Sequence, residues 1–171
     1  LLRADPTPPL PRDVWLSEIQ VMVARDRKGS TEGLFLAVKG GHNAESHNHN
    51  DIGNLVVYLD GRPVIVDVGV ETYSRKTFGA QRYEIWTMQS AYHSLPTVNG
   101  VQQAAGRSFA AKDVGYESDD AHAQLSLDIA GAYPESAGIV AWVRTVVLNR
   151  GQVVYTRQYE GLQALHERLK A

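Results

Sequence analysis

Apolar and polar positions alternate along most of this chain, the period-two pattern of half-buried strands. Val14, Leu16, Ile19, Val21 and Val23 nearly alternate with other side chains and predict a first strand over residues 14–24. Lys28-Gly29-Ser30 and Gly33 mark a turn, and a short apolar run over 34–38 predicts the next strand. Runs over 55–59 and 64–68 flank Asp60-Gly61, a type I′ hairpin signal; a run over 95–98 ends at a second, Asn99-Gly100. Residues 109–116, 123–129, 139–148 and 153–159 predict further strands, the last two joined by Asn149-Arg150-Gly151. Residues 69–82 are polar and predict a long loop, while 83–88 fit neither period. Eight or more short strands separated by turns, with no helical period among them, predict an all-β antiparallel sandwich or barrel. On this reading residues 1–13 are a Pro-rich linker, 14–160 form the β-sandwich domain, and 161–171 are a tail whose Leu162, Leu165 and Leu169 have helical spacing.

One segment breaks the alternation. Residues 42–51, HNAESHNHND, hold three of the six histidines together with Glu45, Asp51 and three asparagines. The run is too polar for a core strand and rich in ligand types. If its second half is extended, His47, His49 and Asp51 share one face, because strand side chains alternate. Two imidazoles and a carboxylate converging on one volume suit a metal site or proton transfer. The plainer alternative is a solvated Asn-rich turn.

Composition narrows the choice. With 171 residues the chain suits one domain with a real core. The formal net charge of −2 disfavours general nucleic-acid binding. There is no cysteine, so any metal must use His, Asp, Glu or water. No apolar run approaches the roughly 20 residues of a membrane span, so no membrane partner is expected. The Pro-rich start shows no signal-peptide order and reads as a cut from something longer.

Three separated motifs, KGGHNAESHNHNDIGN, LDGRPVIVDVGVETYSRKTF and RYEIWTMQSAYHSLPTVNG, occur in order between Lys39 and Gly100. This stretch, about a third of the chain, resembles the C-terminal sheet domain of the heparinase II/III-like polysaccharide lyases, a group that includes the oligoalginate lyases. The resemblance implies a β-sandwich that partners an N-terminal α/α toroid, with the active site in the cleft between them. It implies an acidic polysaccharide or oligosaccharide as substrate, cleaved by β-elimination beside a uronic acid. A base takes the C5 proton, donors neutralise the carboxylate, and a tyrosine protonates the leaving oxygen. Such a proton can be removed only where the developing charge is stabilised and the acid and base lie within hydrogen-bond reach.

Residue by residue, the resemblance matches His47 to a histidine that faces substrate, and His49, Asp67 and His93 to zinc ligands, which a water would complete to a tetrahedron. Asp67 lies across the Asp60-Gly61 hairpin from the strand after His49, so both can reach one end of the sheet. Without metal, His49 and Asp67 read as a buried hydrogen-bonded pair, His93 as a surface residue and His47 as a structural one. His42 reads as a loop-shaping residue, with membership of the site as the alternative, and His122 and His166 read as isolated surface residues. Tyr73 and Tyr83 flank Arg75, Lys76 and Arg82. One of these tyrosines, Tyr83 by preference, is a candidate for proton transfer. Arg75 and Arg82 are candidates to meet a uronate carboxylate, where a bidentate Arg is well suited. Trp86 is a candidate sugar platform or a core residue.

The sequence departs from the family in lacking the toroid, which supplies the principal tyrosine, and in turning into GLQALHERLKA where more strands are expected. An excised fragment and a reduced stand-alone relative both fit. Either way the chain alone is expected to lack turnover, and an exposed inter-domain face would favour homo-oligomers. A bacterial periplasmic or secreted parent is the expectation. A non-catalytic, zinc-stabilised sandwich that binds acidic sugar or a partner domain is the alternative function. A cupin-like oxygenase fits poorly, because Asp51 stands too early for the cupin glutamate and none follows until Glu71.

Overall fold

The computed structural model describes residues 8–160. Strands run through them in the order β1 (Asp13–Leu16), β2 (Val21–Arg25), β3 (Leu34–Lys39), β4 (His42–Asn43), β5 (Leu55–Leu59), β6 (Arg62–Ile65), β7 (Gly106–Ala110), β8 (Lys112–Ser118), β9 (His122–Asp128), β10 (Ala141–Asn149) and β11 (Gln152–Glu160). Every pairing is antiparallel. One sheet has the order β1-β2-β3-β5-β6, a second β11-β10-β9-β8, and β4 with β7 forms a small third. Among the described residues there is no α-helix, only short 3₁₀ turns, and hence no helix that could cross a membrane. The predicted C-terminal helix lies outside the described residues.

The alternation dictates the two-layer packing. Met22, Ala24, Leu36, Val38, Leu55 and Val57 point inward from the first sheet, and Ala123, Leu125, Leu127, Trp142, Val146 and Leu148 from the second. These side chains meet in one core, the arrangement of a β-sandwich. At roughly 1.5–3 kcal/mol for each large buried side chain, this seam is the main source of stability.

Where expectation and structure differ, local backbone decides. The predicted strand over 14–24 is a hairpin, β1 and β2. Its apolar alternation runs straight across the turn at Ser17–Gln20, where Gln20 takes a left-handed φ of 51°. The predicted strand over 109–116 splits at Ala111, whose N–H donates to the Gly41 carbonyl, so β7 pairs with β4 and β8 with β9. Asp60-Gly61 and Asn99-Gly100 both have left-handed φ at their two central residues, as a type I′ turn requires. The first joins β5 to β6. The second closes a single bridge, Val98 to Val101, so the predicted strand over 95–98 does not form. β6 ends at Ile65, and residues 66–105 hold no strand, only irregular chain and four short 3₁₀ turns between Arg75 and Tyr92.

A candidate metal centre beside an exposed histidine

The segment between β4 and β5 is a series of turns, not the extended strand that would put His47, His49 and Asp51 on one face. The physical reason is His47 itself, held at a left-handed φ of 57°. That conformation is uncommon for a non-glycine residue and costs of order 1 kcal/mol or more, so the surroundings must hold it. They do so through the next residue. Arg82 donates from Nε and Nη2 to the Asn48 carbonyl at 3.2 and 2.7 Å, and from Nη1 to the Thr77 carbonyl at 2.7 Å. The Tyr83 hydroxyl donates to Asn48 Oδ1 at 2.9 Å. Gln103, also buried, accepts from Asn43 and Ile52 N–H and donates to the Ile52 carbonyl, fixing the two ends of the segment. His42 accepts the Ala44 N–H and so shapes the loop, as expected.

The kink sends neighbouring histidines apart. His49 turns inward, where it meets Asp67, two residues past β6, and His93 from the 3₁₀-turn segment. One ligand atom from each of the three lies within 4.8 Å of the others. His93 Nδ1 lies 2.8 Å from Asp67 Oδ2, and His93 Nε2 lies 3.0 Å from the Thr87 carbonyl. Asp67 is further held by Asn54 Nδ2 at 2.7 Å and by the Gly69 N–H at 2.7 Å. Asn54 Oδ1 accepts the Ser94 N–H at 3.0 Å, which ties the His93 segment to the same residue. Asp51 turns to Lys39 as an ion pair and takes no place among the ligand atoms.

The electrostatics follow from this geometry. Burial alone would push the Asp67 carboxyl up, but the hydrogen bonds from His93 and Gly69 and the charges of the two histidines hold it below the usual carboxylate range. Burial would push His93 down, but Asp67, with help from Asp51 and the Thr87 carbonyl, raises it above an ordinary imidazole. His49 is lowered, chiefly by burial, with Asp51 opposing and His93 reinforcing.

The donor set tests whether a cation fits. The Thr87 carbonyl can only accept, so Nε2 of His93 carries a proton. In a neutral ring Nδ1 is then a bare acceptor facing a carboxylate oxygen. Two lone pairs at that distance need something positive between them, either a second ring proton or a metal ion. A tetrahedral ion with bonds of about 2.0–2.1 Å needs ligand atoms roughly 3.3 Å apart; His93 and Asp67 stand closer than that, at 2.8 Å, and the group as a whole lies within 4.8 Å, so the side chains would close around an ion by shifting. The His93 side chain is fully buried while that of Asp67 is 33% exposed, so the group is closed on one side and reachable from the other. Two imidazoles and a carboxylate without thiolate suit zinc.

His47 points the other way. It is exposed and stacks on Tyr73 at 6.1 Å between ring centroids, with Phe78 edge-on at 6.0 Å. A pocket of about 340 Å³ opens beside it, lined by Glu45, Asn48, Thr77, Phe78, Arg82 and Tyr83 among others. Arg75 is exposed nearby in sequence, and Trp86 is exposed and packs edge-on to Tyr92. His122, read as isolated, instead lies 3.1 Å from Asp119 and 3.4 Å from Glu117 where the β8–β9 turn meets its strands. His166 lies outside the described residues. Sequence reasoning missed Asn48, Asn54, Gln103 and Phe78. Asn48 sits in the same Asn-rich run as the histidines and Asn54 closes the motif that contains it, which was the only signal for them.

Residues 9–156 match the family model described as heparinase II/III-like, C-terminal. The fold is similar to that of the heparan sulfate lyase HepC from Pedobacter heparinus, with a TM-score of 0.68 at 19% identity over 87% of this chain. It is also similar to heparinase III, with a TM-score of 0.65 at 17% identity over 87% of this chain. In both cases the match spans 22% of the other chain's length. No curated protein sequence matches.

Proposed function

The chain belongs to the heparinase II/III-like family through its C-terminal domain, and from that premise we propose that it is the sheet half of a polysaccharide lyase. The substrate is an acidic, uronate-containing polysaccharide or oligosaccharide, and the reaction is β-elimination. The remaining half of the active site is an α/α toroid outside residues 1–171. The observation that supports this reading best is the divergence of His47 and His49. Two residues apart, His49 turns into a part-buried His–Asp–His group and His47 onto an open, aromatic-lined surface.

His49, Asp67 and His93 would hold zinc, which supplies a structural crosslink between the histidine segment, the end of β6 and the 3₁₀ turns. The remaining steps belong to the chain's own side chains. His47 meets substrate at the pocket and handles a proton or stabilises charge there. Of the two tyrosines, Tyr73 lies exposed against His47, whereas the Tyr83 hydroxyl is spent on Asn48, so Tyr73 is the better placed to reach a leaving oxygen. Arg82 anchors the loop with three of its five N–H donors and lines the pocket, and the exposed Arg75 is a candidate to meet a carboxylate. Trp86, with Tyr92, gives an exposed ring face for a sugar. The test is a protein that joins this domain to its toroid, incubated with uronate polymers and followed by the ultraviolet absorbance of unsaturated ends. Absence of any such product across the common uronate polymers would leave the alternative, a zinc-stabilised sandwich that only binds acidic sugar.

A further inference from the structure

Arg144 is a charged residue in core phase. On β10 it alternates in register with Trp142, Val146 and Leu148, all buried, and is itself only 5% exposed. Among the described residues no carboxylate lies within ion-pair reach of it. A buried guanidinium is costly unless it is hydrogen-bonded, and each of the three Arg144 nitrogens donates to a neutral oxygen. Nη1 donates to the Gly53 carbonyl at 2.7 Å, Nη2 to the Ser94 carbonyl at 3.0 Å, and Nε to the Tyr155 hydroxyl at 3.0 Å. The guanidinium also lies 4.9 Å from the Tyr155 ring centroid.

Those two carbonyls are not arbitrary. Gly53 precedes Asn54, which holds Asp67, and Ser94 follows His93. One rigid fork, mounted on the opposite sheet, thus grips the backbone next to His93 and the segment that follows His49, whose Asn54 side chain holds Asp67. Gly53 has room for this only as glycine. It sits at φ +86°, and a Cβ there would come within 2.8 Å of Ile129 Cγ2 and 3.2 Å of Arg144 Cδ. We propose that Arg144 is the positioning residue of the metal centre, setting the separation of Asp67 and His93 from across the sandwich. The proposal rests on the reading of that group as a zinc site, and it also makes a claim that does not need the metal.

The test compares three forms of the 171-residue chain: unchanged, Arg144→Met and Val146→Ala. The last is a core truncation on the same strand and face. In folded protein, as judged by circular dichroism, Arg144→Met should weaken zinc binding 10–100-fold, the usual cost of losing an outer partner of a metal ligand. Val146→Ala should leave zinc affinity within about threefold while lowering thermal stability. In chelated protein, amide exchange at Ser94 and Asn54 should speed at least tenfold in Arg144→Met and not in Val146→Ala. If Arg144→Met does not fold, Arg144→Lys replaces it. A lysine ammonium cannot span both carbonyls with a planar fork, so it should give an intermediate loss of both readouts. Unchanged exchange at Ser94 and Asn54 in the Arg144 variant overturns the proposal, as does unchanged zinc affinity. Failure of the unchanged chain to bind zinc would instead overturn the metal reading, with the exchange comparison still deciding the role of Arg144.

Discussion

His93 and Asp67 face each other Nδ1 to Oδ2 at 2.8 Å, while the second ring nitrogen of His93 is bound to the Thr87 carbonyl. That double tether makes the pair a choice between a proton and a metal ion. The chain purified without chelator should carry about one equivalent of zinc by elemental analysis. Asp67→Ala should lose it and melt at lower temperature, since a closed site links metal binding to folding. Metal-free protein that ignores added zinc would show that the three residues are only a hydrogen-bonded group.

Without metal, the same pair sets a pH window. His93 is raised in the fold, so its contribution is complete below the unfolded value of about 6.5 and is lost as pH rises through the higher folded value. Asp67 is lowered, so its contribution is present above the unfolded value of about 3.9 and is lost as pH falls through the lower folded value. The pair should therefore stabilise chelated protein most between about pH 4 and 6.5. Thermal unfolding of the unchanged chain and of Asp67→Asn across pH 3 to 9 checks this. A difference that grows steadily toward pH 9 would contradict it.

Asn54 is the hinge between the two ligands, donating to Asp67 and accepting from Ser94. Asn54→Ala leaves the Ser94 N–H without its acceptor in a part-buried position and should cost about 1–3 kcal/mol by denaturant unfolding. Zinc affinity should drop with it. A stability unchanged within 0.5 kcal/mol, roughly the spread of ordinary surface substitutions, would mean that the Ser94 N–H finds another partner.

Much of the fold was legible in the sequence because strand alternation and type I′ dipeptides are local signals. Asp60-Gly61 and Asn99-Gly100 adopted the backbone their chemistry requires. The errors came where a periodic pattern crosses a turn, as at Ser17–Gln20, or where a strand changes partner, as at Ala111. The His–Asp–His group was reached through family motifs; spacing alone suggested a different trio, with His47 and Asp51 in place of Asp67 and His93. Periodicity could not foresee His47 in a left-handed conformation, because what holds it is Arg82 and Tyr83, some 35 residues away in sequence. Arg144 was visible only as a charge in core phase, and its partners needed the tertiary structure.

Tyr83 and Tyr73 should separate by role in the toroid-linked protein. Tyr83→Phe removes one hydrogen bond to Asn48 and should cost about 0.5–1.5 kcal/mol of stability with a modest change in turnover. Tyr73→Phe should leave stability nearly unchanged and reduce turnover more than Tyr83→Phe does. The reverse order would assign the proton-transfer role to Tyr83.

The central claim is that one short segment serves two purposes, a zinc ligand at His49 and a substrate-facing group at His47. The most direct measurement is paired: zinc content and the rate of unsaturated uronate formation in His47→Ala of the toroid-linked protein. The account predicts full zinc occupancy with turnover reduced about 100-fold or more, as for loss of a positioned proton-transfer or charge-stabilising group. A fully active, zinc-loaded His47→Ala protein would contradict it.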